Sequence, residues 1–387
     1  MSKVFNISVV GGAGHIGLPL SCFLQNHGHK VTVIDKNQKV MNDASNGIEP
    51  FEEIDFEDNL NEALKNGLNF SNDMSVVAQT DYVFITLGTS SNKDDIKLFD
   101  GVIDQVLRNV EDETKIILRS TVTLESIFKV KNNKLFDEKK LFLSYCPERI
   151  AEGFAFVELN KIPQIIGTDN PIDKKIFNEF FETLDVKIIN TSFENAVFTK
   201  LFSNAYRNAE FSLVNVFNNI AEENDINFEE IKEIATFDYP RLKSLPKTGY
   251  VGGPCLPKDL DTFIKNYSSE NQILINILKS SDEYLDNIVK KCELKFKNKE
   301  LIQLGITFKK NSDDLRSSGS YILYKKLIES GFKVFVVDPY VVNLDTDFEK
   351  YEYENLHKKI DNVLYCVDHH EFEKYDLREK NIIYAEF

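Results

Sequence analysis

The sequence predicts an α/β protein in which a doubly wound parallel sheet forms at each end of the chain, with a long helix between. Three observations carry this expectation. Residues 4–35 run from an apolar segment through a glycine turn and a helix to a second apolar segment closed by an acid. Residues 300–338 repeat that order, and a stretch free of Gly and Pro, residues 191–224, lies between the two.

Taken in order, residues 4–10 read as a buried strand that enters Gly11-Gly12-Ala13-Gly14-His15-Ile16-Gly17 and continues into a helix beginning Leu18-Pro19-Leu20. Gly12, Gly14 and Gly17 fit GxGxxG, whose glycines permit the tight turn, the approach of a pyrophosphate and helix-on-sheet packing; His15 and Ile16 lie within the turn. The next β-rich run, residues 31–34, ends at Asp35, where a carboxylate accepts from a ribose 2′-hydroxyl and repels a 2′-phosphate. The pattern favours NAD over NADP, an exclusion that Lys36 and Lys39 soften. The competing reading is a glycine-rich turn that grips no dinucleotide.

Runs 81–89, 115–122 and 141–148 read as three further buried strands. Ligands of a doubly wound sheet meet the carboxyl ends of its strands, which places Thr89, Thr121 and Glu148 at one crevice. For each threonine the competing reading is a plain strand end. Residues 191–224 then read as one helix capped at Thr191 or Ser192, with Val197, Leu201, Ala205, Leu213, Val216, Phe217 and Ile220 at helical spacing. Lys200 and Asn204 share a face, either as a functional pair or as a solvated polar stripe. A helix of this length bridges domains or subunits.

Cys255 lies in Gly249-Tyr250-Val251-Gly252-Gly253-Pro254-Cys255-Leu256-Pro257-Lys258-Asp259. The glycines admit a ligand close to the backbone, the prolines stiffen the loop, and Lys258 and Asp259 set opposite charges beside the sulfur. This is the setting of a placed nucleophile; the competing reading is a buried structural thiol. Helical segments follow to about Phe296, then a strand at 300–309, a helix at 317–330 stopped by Gly331, and a strand at 333–337 ending in Asp338 and Pro339. The first turn of this half, residues 309–316, is charged instead of glycine-rich. It implies either a second nucleotide-like ligand held by a different grip or ordinary loop charges.

The chain has 387 residues, enough for two or three domains, and its 42% hydrophobic and 28% charged content is that of a soluble globular protein. Its 46 basic against 62 acidic residues give a net charge of −16, which repels polyanions and argues against nucleic acid as a partner. Cys22, Cys146, Cys255, Cys292 and Cys366 are odd in number and without metal spacing, so neither a disulfide framework nor a metal site is expected. A reducing cytoplasm follows. No apolar run reaches bilayer length and no signal peptide is visible, so the mature chain is expected to start near Met1.

The dinucleotide turn, the Lys200/Asn204 helix, the Gly-Gly-Pro-Cys-Leu-Pro-Lys-Asp loop and the segment Phe308-Lys309…Asp314-Leu315-Arg316, in that order, resemble the UDP-glucose/GDP-mannose dehydrogenase family over nearly the whole chain. The resemblance implies two Rossmann-like domains joined by a long central helix. Residues 1–190 would bind NAD, residues 191–296 would dimerise and carry the cysteine loop, and residues 297–387 would bind a UDP-sugar. It implies oxidation of a C6 alcohol through an aldehyde to a uronic acid, an acid that in relatives usually enters surface polysaccharides. Cys255 would form a thiohemiacetal and then a thioester. Lys200 and Asn204 would stabilise the oxyanion, Asp259 with Thr121 would position water, and Glu152 would be the acid/base. Glu148, Arg149, Glu152, Lys200, Asn204, Arg241, Tyr250, Gly252, Phe308 and Lys309 would contact the substrate, with Arg241 reaching that of a neighbouring subunit. Lys39, Thr89, Thr121 and Arg316 would join the glycine turn and Asp35 on the cofactor.

Departures exist: the family's Gly-Thr-Pro is Gly88-Thr89-Ser90 here, and the C-terminal segment is short, ending at Phe387. The sugar loop Pro147-Glu148-Arg149-Ile150 resembles that of enzymes for N-acetylated hexosamines, whereas Glu152-Gly153 keeps a glucose-type ending. The sugar expected is UDP-N-acetylmannosamine or UDP-N-acetylglucosamine, with UDP-glucose the alternative. Two other classes compete. The 6-phosphogluconate and 3-hydroxyacyl dehydrogenases share the first domain and long helix without needing the cysteine, and a nucleotide-sugar sensor would keep the binding domains without chemistry.

Overall fold

The computed structural model describes residues 3–89, 93–341 and 347–385, so Ser90, Phe387 and Met1 lie outside the described residues. The chain divides into two compact units, residues 1–201 and 202–387. The first holds β1 (Asn6–Val10), β2 (Lys30–Ile34), β3 (Asn69–Ser71), β4 (Tyr82–Ile85), β5 (Lys115–Leu118), β6 (Phe142–Tyr145), β7 (Gln164–Gly167) and β8 (Ile188–Thr191). Across the sheet they run β3-β2-β1-β4-β5-β6-β7-β8. All neighbours are parallel except β6 and β7, which meet antiparallel at Tyr145 and Gly167. The order reverses between β1 and β4, and the carboxyl ends of those strands therefore border the crevice where such sheets bind ligands.

The five apolar runs read from sequence correspond to β1, β2, β4, β5 and β6. β4 and β7 are buried at every position, because a parallel sheet hides both faces and its strands lose the alternating pattern. β3 escapes a sequence reading: it is three residues long and largely polar, and it pairs only with β2 at the sheet edge. With no tryptophan in the chain, phenylalanine fills the core. Phe180 is wholly buried and packs its ring against Phe5, Tyr82, Phe84 and Phe181.

The long helix spans Phe193–Glu223. Thr191 closes β8 instead of capping it; the cap is Ser192, whose Oγ accepts from Asn195 N–H at 3.3 Å. Val197, Leu201 and Ala205 are buried, whereas Leu213, Val216, Phe217 and Ile220 are exposed.

The second unit contains β9 (Glu300–Leu304), β10 (Lys333–Val337), β11 (Asn362–Tyr365) and β12 (Asn381–Tyr384). They are parallel in the order β10-β9-β11-β12. The expected helix is found at Gly319–Glu329, with Ser318 as its cap and Gly331 past its end at φ 83°. Its Leu323 and Leu327 pack with Leu285 and Ile288 of the helix Gln272–Lys295.

Both units use one turn device. Gly11 N–H donates to Ile34 O and Gly305 N–H to Val337 O, each at 2.9 Å, and both glycines have positive φ, 77° and 84°. The acid after the second strand then ties down the same turn: Ala13 N–H donates to Asp35 at 3.1 Å and Ile306 N–H to Asp338 at 2.8 Å. Among the described residues no helix is long and apolar enough to cross a membrane.

Candidate active site

In the glycine turn, a Cβ on Gly12 would lie 2.6 Å from Val9 O, and one on Gly17 would lie 2.6 Å from both Gly11 O and Gly12 Cα. Backbone contacts within the protein therefore require these two glycines. Gly14 is different. A Cβ there would meet only Gly11 O, at 3.7 Å, so packing does not demand glycine, and the open approach is what a pyrophosphate needs. The helix Gly17–Asn26 starts after Ile16 with no side-chain cap and no acid in its first turn, which leaves a positive helix end suited to an anion. Asp35 is half-buried and steadies the turn, accepting from Ala13 N–H and from Asn37 N–H at 2.9 Å. These residues fit a dinucleotide. Lys39 is exposed, and His15 lies over Phe51, with centroids 4.1 Å apart. Its Nδ1 is 3.7 Å from Glu152 Oε1. Thr89 Oγ1 donates to Thr121 O at 2.5 Å and so joins the ends of β4 and β5.

The loop after β6 is built on a buried ion pair. Arg119 donates from Nε to Glu148 Oε2 at 3.0 Å and from a terminal nitrogen to the same oxygen, while Nη1 donates to Gln164 Oε1 at 2.9 Å. Glu148 Oε1 accepts from the N–H groups of Arg149 and Ile150 at 2.8 and 3.0 Å. Burial pushes the Glu148 carboxyl up, but the charge and hydrogen bonds of Arg119 outweigh it and hold the group below its usual range. Arg149 turns its guanidinium to Pro163 O at 2.7 Å. Sequence reasoning gives Glu148 and Arg149 direct contacts to a sugar; here both carboxylate oxygens of Glu148 and one guanidinium nitrogen of Arg149 have protein partners that shape the loop. Glu53, which the sequence did not single out, accepts from Gly153 N–H at 3.0 Å and Ala155 N–H at 2.6 Å and fixes the loop's far end.

In the second unit the cysteine loop is pinned from two sides. Asn215, buried on the long helix, donates to Gly249 O at 2.6 Å and accepts from Gly249 N–H at 2.9 Å. Gly253 N–H donates to Ser317 O at 3.0 Å, and a Cβ on Gly253 would come within 2.9 Å of the Phe308 ring. Gly253 also has φ 81°, so glycine is required twice over. Gly252 has the same constraint more weakly, with a Cβ 3.0 Å from Ser317 O.

Cys255 ends the loop as the residue before the helix Leu256–Tyr267. It is the one exposed cysteine; Cys22, Cys146, Cys292 and Cys366 are buried, which removes the reading of Cys255 as a structural core thiol. One turn on, Asp259 is fully buried. Its Oδ2 accepts from Asn204 Nδ2 at 2.6 Å, and Lys258 Nζ lies 3.7 Å from Oδ1. A buried carboxylate beside an exposed thiol at the positive end of a helix is an arrangement for nucleophilic chemistry. Lys200 is buried one turn before Asn204 on the long helix.

Of the other expected residues, Lys309 holds its ammonium 5.3 Å from the Phe308 ring centroid. Arg316 is exposed and chelated by Asp314, Nε to Oδ1 at 2.9 Å and Nη2 to Oδ2 at 2.5 Å. Tyr250 is half-buried, and burial followed by the Asp282 charge pushes its phenol up to about 12. Arg241 donates to Tyr239 OH at 2.7 Å and lies at the surface.

Three family models match in sequence: the NAD binding domain of the UDP-glucose/GDP-mannose dehydrogenase family over residues 5–185, its central domain over 194–284 and its UDP binding domain over 302–384. A UDP-N-acetyl-D-mannosamine dehydrogenase of Methanococcus vannielii is 28% identical, the match covering 97% of this chain and 89% of that protein. A UDP-glucose 6-dehydrogenase of Bacillus subtilis is 26% identical, over 87% and 80%. Among solved structures, a UDP-glucose dehydrogenase from Pyrobaculum islandicum superposes with TM-score 0.88 at 22% identity, covering 100% of this chain and 95% of that one. A UDP-D-ManNAc dehydrogenase from Pyrococcus horikoshii gives 0.86 at 23%, over 98% and 95%. These structures share the fold.

Proposed function

This chain belongs to the UDP-glucose/GDP-mannose dehydrogenase family, is an NAD-dependent nucleotide-sugar dehydrogenase, and, we propose, oxidises UDP-N-acetyl-D-mannosamine at C6 to the uronic acid. The observation that carries the chemistry is the exposed Cys255 one helical turn from the buried Asp259. The sugar rests on the Glu148-Arg149-Ile150 loop and on the names of the most similar relatives.

Gly12, Gly14, Gly17 and Asp35 would hold NAD, and Asp35 disfavours NADP. When bound, NAD accepts the hydride in each of two oxidations. Cys255 Sγ forms a bond to the C6 aldehyde carbon, and the carbonyl oxygen takes up negative charge as the thiohemiacetal forms. Lys200 and Asn204 are assigned to that oxygen; an amide nitrogen carries two N–H donors, one of which Asp259 takes here. The thiohemiacetal loses hydride to become a thioester. Asp259 and Thr121 are assigned to the water that adds to it, and cleavage of the C–S bond returns the thiol and releases the carboxylate. Glu152 is the assigned acid/base for the alcohol proton. Tyr250, Gly252, Phe308, Lys309, Glu148 and Arg149 are assigned to the UDP-sugar, and Arg316 and Thr89 to the cofactor side. In domain terms, residues 1–190 serve NAD, 191–296 dimerisation and the cysteine, and 297–387 the UDP-sugar.

Turnover of UDP-N-acetylmannosamine, UDP-N-acetylglucosamine and UDP-glucose with NAD and with NADP tests this. UDP-N-acetylmannosamine with NAD should lead in kcat/KM by about tenfold or more. UDP-glucose as the best substrate would overturn the sugar, and binding of all three without turnover would point to a sensor.

The chain is also proposed to be a homodimer through the long helix. Phe202, Leu213 and Phe217 are 59%, 55% and 56% exposed on it, and Phe217 and Ile220 border an apolar groove of about 390 Å³ completed by Phe228 and Ile231. Apolar patches of this kind mark interfaces. Arg241 would then serve the partner's substrate. Light scattering should give twice 44.5 kDa; the mass of one chain would contradict the assignment.

A further inference from the structure

His369 follows β11 in the second unit and has no part in the site described so far. Its side chain and that of Asp338 are wholly buried. Asn311 N–H donates to His369 Nδ1 at 3.0 Å, so that nitrogen bears no proton. Nε2 lies 3.2 Å from Asp338 Oδ2 and 3.3 Å from Thr307 Oγ1. The Thr307 hydroxyl itself donates to Lys309 O at 3.1 Å, which leaves its oxygen to accept. The ring is therefore a neutral imidazole with its proton on Nε2, directed at Asp338.

The partner on the other nitrogen sits in a tight turn. Asn311 has φ 53°, the left-handed region that Asn enters more readily than other non-glycine residues, and its Oδ1 accepts from His370 N–H at 3.4 Å. The turn it belongs to begins with Phe308, whose ring packs against Gly253, two residues before Cys255. One side of this turn thus rests on His369 and the other on the cysteine loop.

We infer that His369 is a positioning residue for the reaction, holding the turn at residues 308–311 through Nδ1 so that Phe308 and Lys309 meet the UDP end of the substrate. Nε2 has the separate task of satisfying the buried Asp338. This rests on the assignment of the second unit to UDP.

Because the two tasks fall on different atoms, two substitutions separate them. His369→Gln keeps a donor near the Nε2 position and loses the acceptor; His369→Asn keeps an acceptor near Nδ1 and loses the donor. By calorimetry, His369→Gln should weaken UDP binding by about tenfold while nearly keeping the Tm, and His369→Asn should keep UDP affinity within about twofold while lowering the Tm. NAD affinity should stay level in both. UDP affinities that fall equally, that track the Tm, or that fall together with NAD affinity overturn the inference. A measurement on the unaltered protein stands beside these: its histidine 15N spectrum should show His369 protonated on Nε2 and bare on Nδ1, and a proton on Nδ1 overturns the inference even where neither variant folds. An unaltered protein that binds no UDP removes the assignment of the second unit, and this inference with it.

Discussion

Replacing Cys255 by alanine is expected to lower uronic acid formation by at least about a thousandfold, because the substitution removes the only atom assigned to bond with the substrate. The thiol is exposed, so its loss opens no cavity and the Tm should hardly move. Chemical labelling supplies the companion result. Burial pushes Cys22 and Cys292 up to about 12 and Cys146 up to about 11, and drives Cys366 well above its ordinary value. Those four stay protonated and shielded at neutral pH, and the thiolate is the reactive form. Iodoacetamide at pH 8 should therefore add once to the folded protein, at Cys255, and not at all to Cys255→Ala. Full turnover by the variant would place the protein with dehydrogenases that need no cysteine.

Arg119→Met is the substitution expected to cost most stability. It leaves the Glu148 carboxylate buried without its counter-charge, a change worth about 3–5 kcal/mol. The pH dependence follows from the direction of the shift. In the unaltered protein the Glu148 carboxyl is held below its ordinary value, so its contribution is fully present above the unfolded pKa and is lost as pH falls through the lower folded one. Without Arg119, burial is opposed only by the N–H groups of Arg149 and Ile150, and the carboxyl rises. The penalty is then greatest at neutral pH and shrinks on acidification, as Glu148 takes up a proton. Denaturant unfolding of both proteins at pH 7 and pH 5 should show the gap narrowing, and Arg119→Met with Glu148→Gln should recover much of the loss. A gap that does not change with pH would mean that the pair is not the source.

The parts of the site legible in the sequence are those whose chemistry sits in one short segment. The glycine turn, Asp35 at the end of the second strand, and the run from Gly249 to Asp259 each announce themselves locally, since turn geometry and a nucleophile's setting are written in consecutive residues. What escaped is held by partners far along the chain. Asn215 reads as one more polar residue on a helix, yet it clamps Gly249, thirty-four positions away. Arg119 reads as part of an apolar run, and its role appears only when Glu148, in the loop after β6, and Gln164, on β7, arrive beside it. Glu148 was read at a strand end, where the sequence is silent on the cation that its carboxylate meets. β11 and β12 passed unread as well: each is four residues long and begins with a polar asparagine, with no long apolar run of the kind that marked β4 to β6.

The central claim is that one thiol carries the sugar through two successive oxidations. It is tested most directly by counting NADH formed per UDP-N-acetylmannosamine consumed while identifying the product. Two NADH and a uronic acid are predicted; one NADH with an aldehyde accumulating would contradict the account.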